Sequence, residues 1–112
     1  ILSIIALPSY QTYTERARFA EVIATTELYK TAVSLALQTG ATPNELTNGT
    51  HGIPLEPKPT RNVASIKVEN GVITATATNL AANATYILKP NSDGSILSVS
   101  GTCLKNGFCN AA

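Results

Sequence analysis

A short apolar segment leads directly into a long amphipathic pattern at the start of this chain. Ile1 to Leu7 is apolar except for Ser3, and Pro8 follows it with no loop between. The segment is too short to span a bilayer, which takes about 20 apolar residues. We therefore interpret it as the end of a longer apolar helix, and we expect the natural protein to continue upstream of Ile1.

Beyond Pro8, apolar residues recur at spacings of three and four, which predicts a single helix over residues 1–39 that ends at Gly40. The main apolar stripe is Phe19, Val22, Ile23, Tyr29, Val33, Ala36 and Leu37. A second set, expected to widen this buried stripe, is Leu28, Ala32 and Leu35. We expect Pro8 to kink the helix or loosen the turn before it, at a cost of about 3 kcal/mol.

The middle of the chain is rich in proline, which predicts a connecting loop over residues 40–62. Within it, Thr42 to Leu46 has a proline suited to the first position of one helical turn. Four strands are predicted next, bounded by turns such as Glu69-Asn70-Gly71. They span Val63 to Val68, Val72 to Thr78, Tyr86 to Lys89 and Ile96 to Ser100.

Each predicted strand has one apolar and one polar face, as in an antiparallel sheet with one solvated side. The inward residues are expected to be Ala64, Ile66 and Val68 on the first strand, and Ile73, Ala75 and Ala77 on the second. The helix stripe is the element available to cover them. The sequence therefore predicts one α+β domain over residues 1–112, with a long helix on a four-stranded antiparallel sheet. Residues 101–112 lack periodicity and are expected to form a loop.

The segment Ile1 to Ala17 reads ILSIIALPSYQTYTERA. It resembles the end of the N-terminal hydrophobic helix of type IV pilins, where the pattern ILxxIALPxYxxYxxRA is typical. The resemblance implies a pilin fold and a homo-oligomeric helical filament. The residues placed in the filament core would be Ile1, Leu2, Ile4, Ile5, Leu7 and Pro8.

The same resemblance implies processing by a prepilin peptidase, handling by inner-membrane assembly machinery, and a final place in an extracellular fibre. Such fibres serve adhesion, twitching motility or DNA uptake. An exported protein meets oxidising conditions, so we expect Cys103 and Cys109 to form a disulfide; two unpaired thiols are the alternative. The loop these cysteines would close is shorter than in many major pilins, which leaves open which pilin this is.

Enzymatic function is not indicated by the sequence. His51 is the only histidine, carboxylates are scattered, and no nucleophile motif or phosphate-binding loop is present. Ser98, Ser100 and His51 would form a triad only by coincidence. We expect no metal, because two cysteines and a distant histidine do not complete a tetrahedral site. We also expect no cofactor and no small-molecule substrate.

Two binding functions remain as alternatives. A minor pilin could contact DNA or a host surface through basic side chains, of which the candidates are Lys58, Arg61, Lys67, Lys89 and Lys105. A type II secretion pseudopilin would carry a calcium site, but Asp93 is the only aspartate. Two N-glycosylation sequons begin at Asn48 and Asn83, and we interpret both asparagines as turn residues.

Overall fold

The computed structural model describes the backbone of residues 2–110 and the side chains of residues 12–96 and 98–110. Helix α1 spans Leu2–Gln38, and a 3-10 turn follows at Pro43–Glu45. The strands are β1 (Val63–Glu69), β2 (Val72–Ala77), β3 (Thr85–Pro90) and β4 (Ile96–Ser100), with a second 3-10 turn at Asn79–Ala81. Helix α2 (Thr102–Asn106) closes the fold. The predicted α+β class is confirmed.

One side of α1 is buried against the sheet. The buried residues are Phe19, Val22, Thr26, Tyr29, Val33, Ala36 and Leu37. Their spacings of three and four place them on one face of the helix. Thr26 is the polar member, and its hydroxyl donates to the Val22 carbonyl oxygen at 2.6 Å, so its burial leaves no orphaned donor.

The prediction that Leu28 and Leu35 join this buried stripe is wrong. Their side chains are 66% and 59% exposed, and Ala32 is half-buried. Leu28 follows Phe19 by about 2.5 helical turns, which turns its side chain to the opposite side of the helix. The same rotation argument applies to Leu35.

Helix α1 is continuous across Pro8 in the structure. A loosened turn ahead of this proline, as the sequence led us to expect, is therefore not observed. Proline removes a single backbone donor, and the flanking turns can keep their own hydrogen bonds. A kink at this position stays a prediction.

The four strands form one antiparallel meander in the order β1-β2-β3-β4. On β2, Ile73, Ala75 and Ala77 are buried as predicted. On β1 the prediction needs a correction, because an irregularity in the register between Val63 and Ser65 interrupts the alternation. This bulge buries Val63 with Ile66 and Val68 and leaves Ala64 only half-buried.

Aromatic rings connect α1 to the sheet and to the C-terminal segment. The Phe19 ring meets Tyr86 of β3 edge-on at 6.3 Å between centroids, and it lies 5.7 Å from Phe108. Phe19 is fully buried. Burying a side chain of this size contributes about 1.5–3 kcal/mol.

The C-terminal segment is not simply a loop, as the sequence suggested. Residues Thr102–Asn106 form a short helix, and Gly107 ends it in the left-handed conformation with φ of 76°. A single helical turn is too short to show a periodic apolar pattern, which explains the error.

Neither helix within residues 2–110 is both long enough and apolar enough to cross a bilayer.

Candidate functional site

The outward side of α1, opposite the core, is free of charge over most of its length. We call this set the outer stripe: Tyr13, Ala17, Ala20, Ala24, Leu28, Thr31 and Leu35. Every member is exposed. Successive members are three or four residues apart, so they form one continuous seam along the helix.

This seam has the composition of a helix-packing surface. Apolar positions at alternating spacings of three and four are typical of helices that pack lengthwise against other helices. The three alanines permit close approach, while Tyr13 and Leu28 are 73% and 66% exposed to water. Large contiguous exposed apolar surfaces mark interaction sites in proteins. The chain thus carries one apolar stripe buried on its own sheet and a second that stays exposed to water.

Charged side chains of α1 lie beside the outer stripe rather than on it. Arg18 reaches back to the domain, where its Nη1 donates to the Leu80 carbonyl oxygen at 2.9 Å. Glu27 and Lys30 form an exposed pair with 3.9 Å between Nζ and Oε2. Exposed pairs of this kind contribute at most about 1 kcal/mol, so they do not seal the surface.

The predicted filament-core residues fall at the other end of α1. Ile1 lies outside the described residues, and so do the side chains of Leu2, Ile4, Ile5, Leu7 and Pro8. The α1 backbone continues from Leu2 without a break into the outer stripe. The role of these residues in a filament core stays a prediction.

The predicted disulfide is present. The sulfur atoms of Cys103 and Cys109 are 2.03 Å apart, and neither cysteine of the described chain is free. Two further links fix this segment. Thr85 N donates to the Thr102 hydroxyl at 2.9 Å, and Thr102 N donates to the Thr85 hydroxyl at 3.0 Å. Phe108 packs against the Phe19 ring.

The five basic candidates are all exposed but lie on different elements. Lys58 and Arg61 are in the connecting loop, Lys105 is in α2, and Lys67 and Lys89 are on the outer face of the sheet. Lys67 lines a surface groove together with two carboxylates, those of Glu56 and Glu69. The opposite charges beside Lys67 weaken any positive field at that position.

The residues weighed for catalysis are separated by the fold. His51 is in the loop beside β1, with its Nε2 3.8 Å from Glu45 Oε2, whereas Ser98 and Ser100 are on β4 at the other edge of the sheet. Within the part of the chain that the structure describes, no three His, Cys, Asp or Glu side chains cluster as metal ligands would.

The two sequons differ in accessibility. Asn48 is half-buried and tied to β1, because its Oδ1 accepts from Val68 N at 2.8 Å and its Nδ2 donates to the Ile66 carbonyl oxygen at 3.3 Å. Asn83 is exposed in a left-handed turn with φ of 51°. The sequence does not predict that the Asn48 side chain bonds the edge of β1. An asparagine that pairs with a strand edge through its side chain has no sequence signature.

Sequence reasoning also missed the outer stripe, although the signal was available. Leu28, Thr31 and Leu35 follow one another at spacings of three and four, as do the alanines before them. Assigning each position an angle of 100° around the axis separates this seam from the buried one. Apolar character alone instead predicts a single broad stripe.

A long N-terminal helix laid across an antiparallel meander, with a disulfide-bound C-terminus, defines a class of structural subunit. Comparison with known proteins agrees. The Pilin family model, described as pilin (bacterial filament), matches residues 15–104. The chain belongs to the type IV pilin family, which comprises structural subunits and not enzymes.

Curated relatives support the assignment. The chain is 48% identical over 48 residues to type IV pilus subunit protein TapA of Aeromonas hydrophila, covering 43% of this chain and 34% of that protein. It is 39% identical over 84 residues to type IV major pilin protein PilE1 of Neisseria gonorrhoeae, covering 74% of this chain and 47% of the relative.

A third relative is aligned over more of the chain. Prepilin peptidase-dependent protein D of Escherichia coli (strain K12) is 34% identical over 94 residues, covering 83% of this chain and 63% of the relative. The chain therefore spans between about a third and two thirds of the length of these three relatives.

Proposed function

We propose that this chain forms part of the structural subunit of a type IV pilus, which polymerises through its N-terminal helix into an extracellular helical filament. The observation that carries the proposal is the outer stripe. A helix already seated on its own sheet keeps a second uncharged seam exposed to water. In a filament, that seam is covered by the helices of neighbouring subunits.

The family description favours a polymer over a closed dimer, because the matching family model is described as pilin (bacterial filament). In the proposed filament, the outer stripe of one subunit packs against a different surface of the next. Contacts between two different surfaces are head-to-tail, and when their rotation does not close they generate a helical filament. Each large apolar side chain buried in such a contact contributes about 1.5–3 kcal/mol.

The wider setting of the proposal follows from the family. We place the full-length protein in the inner membrane before assembly, as a substrate of prepilin peptidase and of the assembly machinery. The name of the Escherichia coli relative, prepilin peptidase-dependent protein D, supports this step. The fibre would serve adhesion, twitching motility or DNA uptake. A DNA-receptor function is less well supported, because carboxylates flank Lys67.

The test is a charge placed on the seam. The full-length protein with Leu28→Glu is expressed in a pilus-bearing bacterium whose own major pilin gene is deleted. Leu28 is 66% exposed in the isolated subunit, so the variant is expected to fold normally. Burying an unpaired carboxylate between helices is costly, and we expect loss of sheared surface filaments.

Leu104→Glu is the matched control. Leu104 is an exposed leucine of α2, away from the outer stripe, and its variant should give filaments in normal amount. Filaments from Leu28→Glu at the unsubstituted level would contradict the proposed seam. Absence of the unsubstituted full-length protein from sheared filaments would contradict the pilus assignment itself.

A further inference from the structure

A further exposed leucine, Leu55, is held away from the core by the connecting loop. Leu55 is 75% exposed within residues 54–59, which we call the proline loop. Its backbone is anchored at two points. The Tyr29 hydroxyl donates to the Leu55 carbonyl oxygen at 2.8 Å, and Asn48 Nδ2 donates to the Pro54 carbonyl oxygen at 3.4 Å. Three prolines restrict the remaining freedom of the segment. The loop thus presents an apolar side chain at little entropic cost.

An open groove lies along the C-terminal half of α1. We call it the helix groove, and its volume is about 300 Å³. Its lining residues are Glu27, Lys30, Thr31, Ser34, Leu35 and Gln38. Leu35 supplies an apolar side chain that is 59% exposed. Because every lining residue comes from α1, nothing from the rest of the described chain fills the groove.

The proline loop and the helix groove are on opposite flanks of the subunit. Tyr29 contacts the loop, whereas the Ser34 hydroxyl donates to the Gly94 carbonyl oxygen in the β3–β4 turn at 2.7 Å. Five residues along a helix correspond to about 140° of rotation. The loop runs beside β1, to which Asn48 ties it, and the β3–β4 turn belongs to the other half of the sheet. One subunit therefore cannot place its own Leu55 in its own groove.

The two surfaces match in charge as well as in apolar character. Leu55 is followed by Glu56 and Lys58, one of each sign. The helix groove likewise carries one of each sign, Glu27 and Lys30, in a loose exposed pair. A neighbour's Glu56 can face Lys30 while its Lys58 faces Glu27. Such complementarity fixes register and orientation more than it adds affinity.

We propose that Leu55 in the proline loop of one copy of this chain seats in the helix groove of the next copy. The proposal rests on the proposed filament, in which the neighbour's proline loop covers the C-terminal end of the outer stripe, at Thr31 and Leu35, and neighbouring helices cover the rest. Because loop and groove are on opposite flanks, each subunit offers one surface to the subunit ahead and the other to the subunit behind. The contact propagates without closing.

Cysteine pairing tests the contact directly. The full-length protein with Leu55→Cys and Leu35→Cys is assembled into filaments, sheared, and oxidised with copper phenanthroline. Two cysteines link when their Cα atoms approach to within about 7 Å. We expect a ladder of covalent multimers on non-reducing gels, because every subunit contributes to two contacts. Leu55→Cys with Leu104→Cys is the control, and it should stay monomeric on the same gel.

The outcomes separate the two proposals. Filaments that form but give no ladder overturn the loop-to-groove contact and leave the pilus assignment intact. An unsubstituted protein that forms no filaments overturns the assignment, and the contact with it.

Should the cysteine variant fail to assemble, a charge reversal decides. Lys30→Glu is expected to reduce sheared filament yield about tenfold, equivalent to 1.4 kcal/mol, and adding Glu56→Lys should restore it. Failure of the restoration overturns the contact.

Discussion

The side chain of Asn48 hydrogen-bonds the edge of β1 that the connecting loop covers. Asn48 bonds the Val68 amide and the Ile66 carbonyl with its side chain, in the way that a neighbouring strand bonds with its backbone. An unpaired edge strand is a template for unwanted pairing. Asn48 therefore satisfies β1 at the edge that has no neighbouring strand, and at the same time it holds the loop that presents Leu55.

We predict that Asn48→Ala destabilises the folded subunit by about 1–3 kcal/mol, because Val68 N–H loses its acceptor at a mostly buried position. The measurement is urea unfolding followed by circular dichroism. Asn110→Ala, an exposed asparagine near the C-terminal end, is the control and should change stability by less than about 0.5 kcal/mol. Equal stability of the two variants would show that the Asn48 side-chain hydrogen bonds are dispensable.

A second prediction concerns the carboxyl group of Asp93. Hydrogen bonds from the Ser95 hydroxyl at 2.7 Å and from the Ser95 amide at 2.9 Å hold the pKa of Asp93 below its ordinary value of 3.8. A lowered folded-state pKa stabilises the turn at pH values above 3.8, and this contribution is lost as the pH falls through the folded-state pKa.

Carbon-detected NMR titration measures the Asp93 pKa. Ser95→Ala removes the larger cause and should raise the pKa toward its ordinary value, while Ser92→Ala, at an exposed position of the same turn, should leave it unchanged. No difference between the two variants would mean that the Ser95 hydroxyl does not act on this carboxylate.

At the scale of elements, the β3–β4 turn is fitted closely to α1. Gly94 is buried with φ of +95°, and a Cβ atom there would lie 2.8 Å from the backbone oxygen of Ser34. Contacts below 3.0 Å force something to shift, and a backbone oxygen inside a helix has little freedom to move. The absence of a side chain at residue 94 thus sets how closely the turn approaches the helix.

Gly94→Ala and Gly107→Ala separate steric from conformational cost. Both glycines have positive φ, but a Cβ atom at Gly107 would meet nothing within 4 Å. The left-handed conformation costs an alanine about 1–2 kcal/mol at either position. We expect Gly94→Ala to lose a further 1–3 kcal/mol or so from overpacking against Ser34. Thermal unfolding of both variants checks this, and equal losses would contradict the close fit.

The elements also show what the sequence specified and what it did not. Helix α1, the four antiparallel strands and the turn at Gly71 follow from local patterns, and they were predicted correctly. The bulge after Val63 was not, because it depends on how β1 meets β2 across the sheet. The segment beginning at Thr102 is too short for a periodic signal. The sequence wrongly predicts Leu28 and Leu35 to be buried, because apolar character alone does not reveal which side of a helix is covered.

At the scale of the whole molecule, the helix dominates the shape. The subunit measures 59 × 27 × 15 Å, and an α-helix of 37 residues is about 55 Å long. The sheet covers one side of this rod, and the outer stripe occupies the other. An isolated subunit therefore exposes apolar surface that only association can remove from water, which is the physical basis of the proposed polymer.

The most direct measurement of this claim is the solvent accessibility of Ala24→Cys, in the middle of the outer stripe. Residue 24 is exposed in the single subunit, so a maleimide reagent should label detergent-dispersed subunits rapidly. In intact sheared filaments we predict that the same cysteine is protected, while Leu104→Cys remains reactive in both states. Equal labelling of Ala24→Cys in filaments and in dispersed subunits would contradict the account.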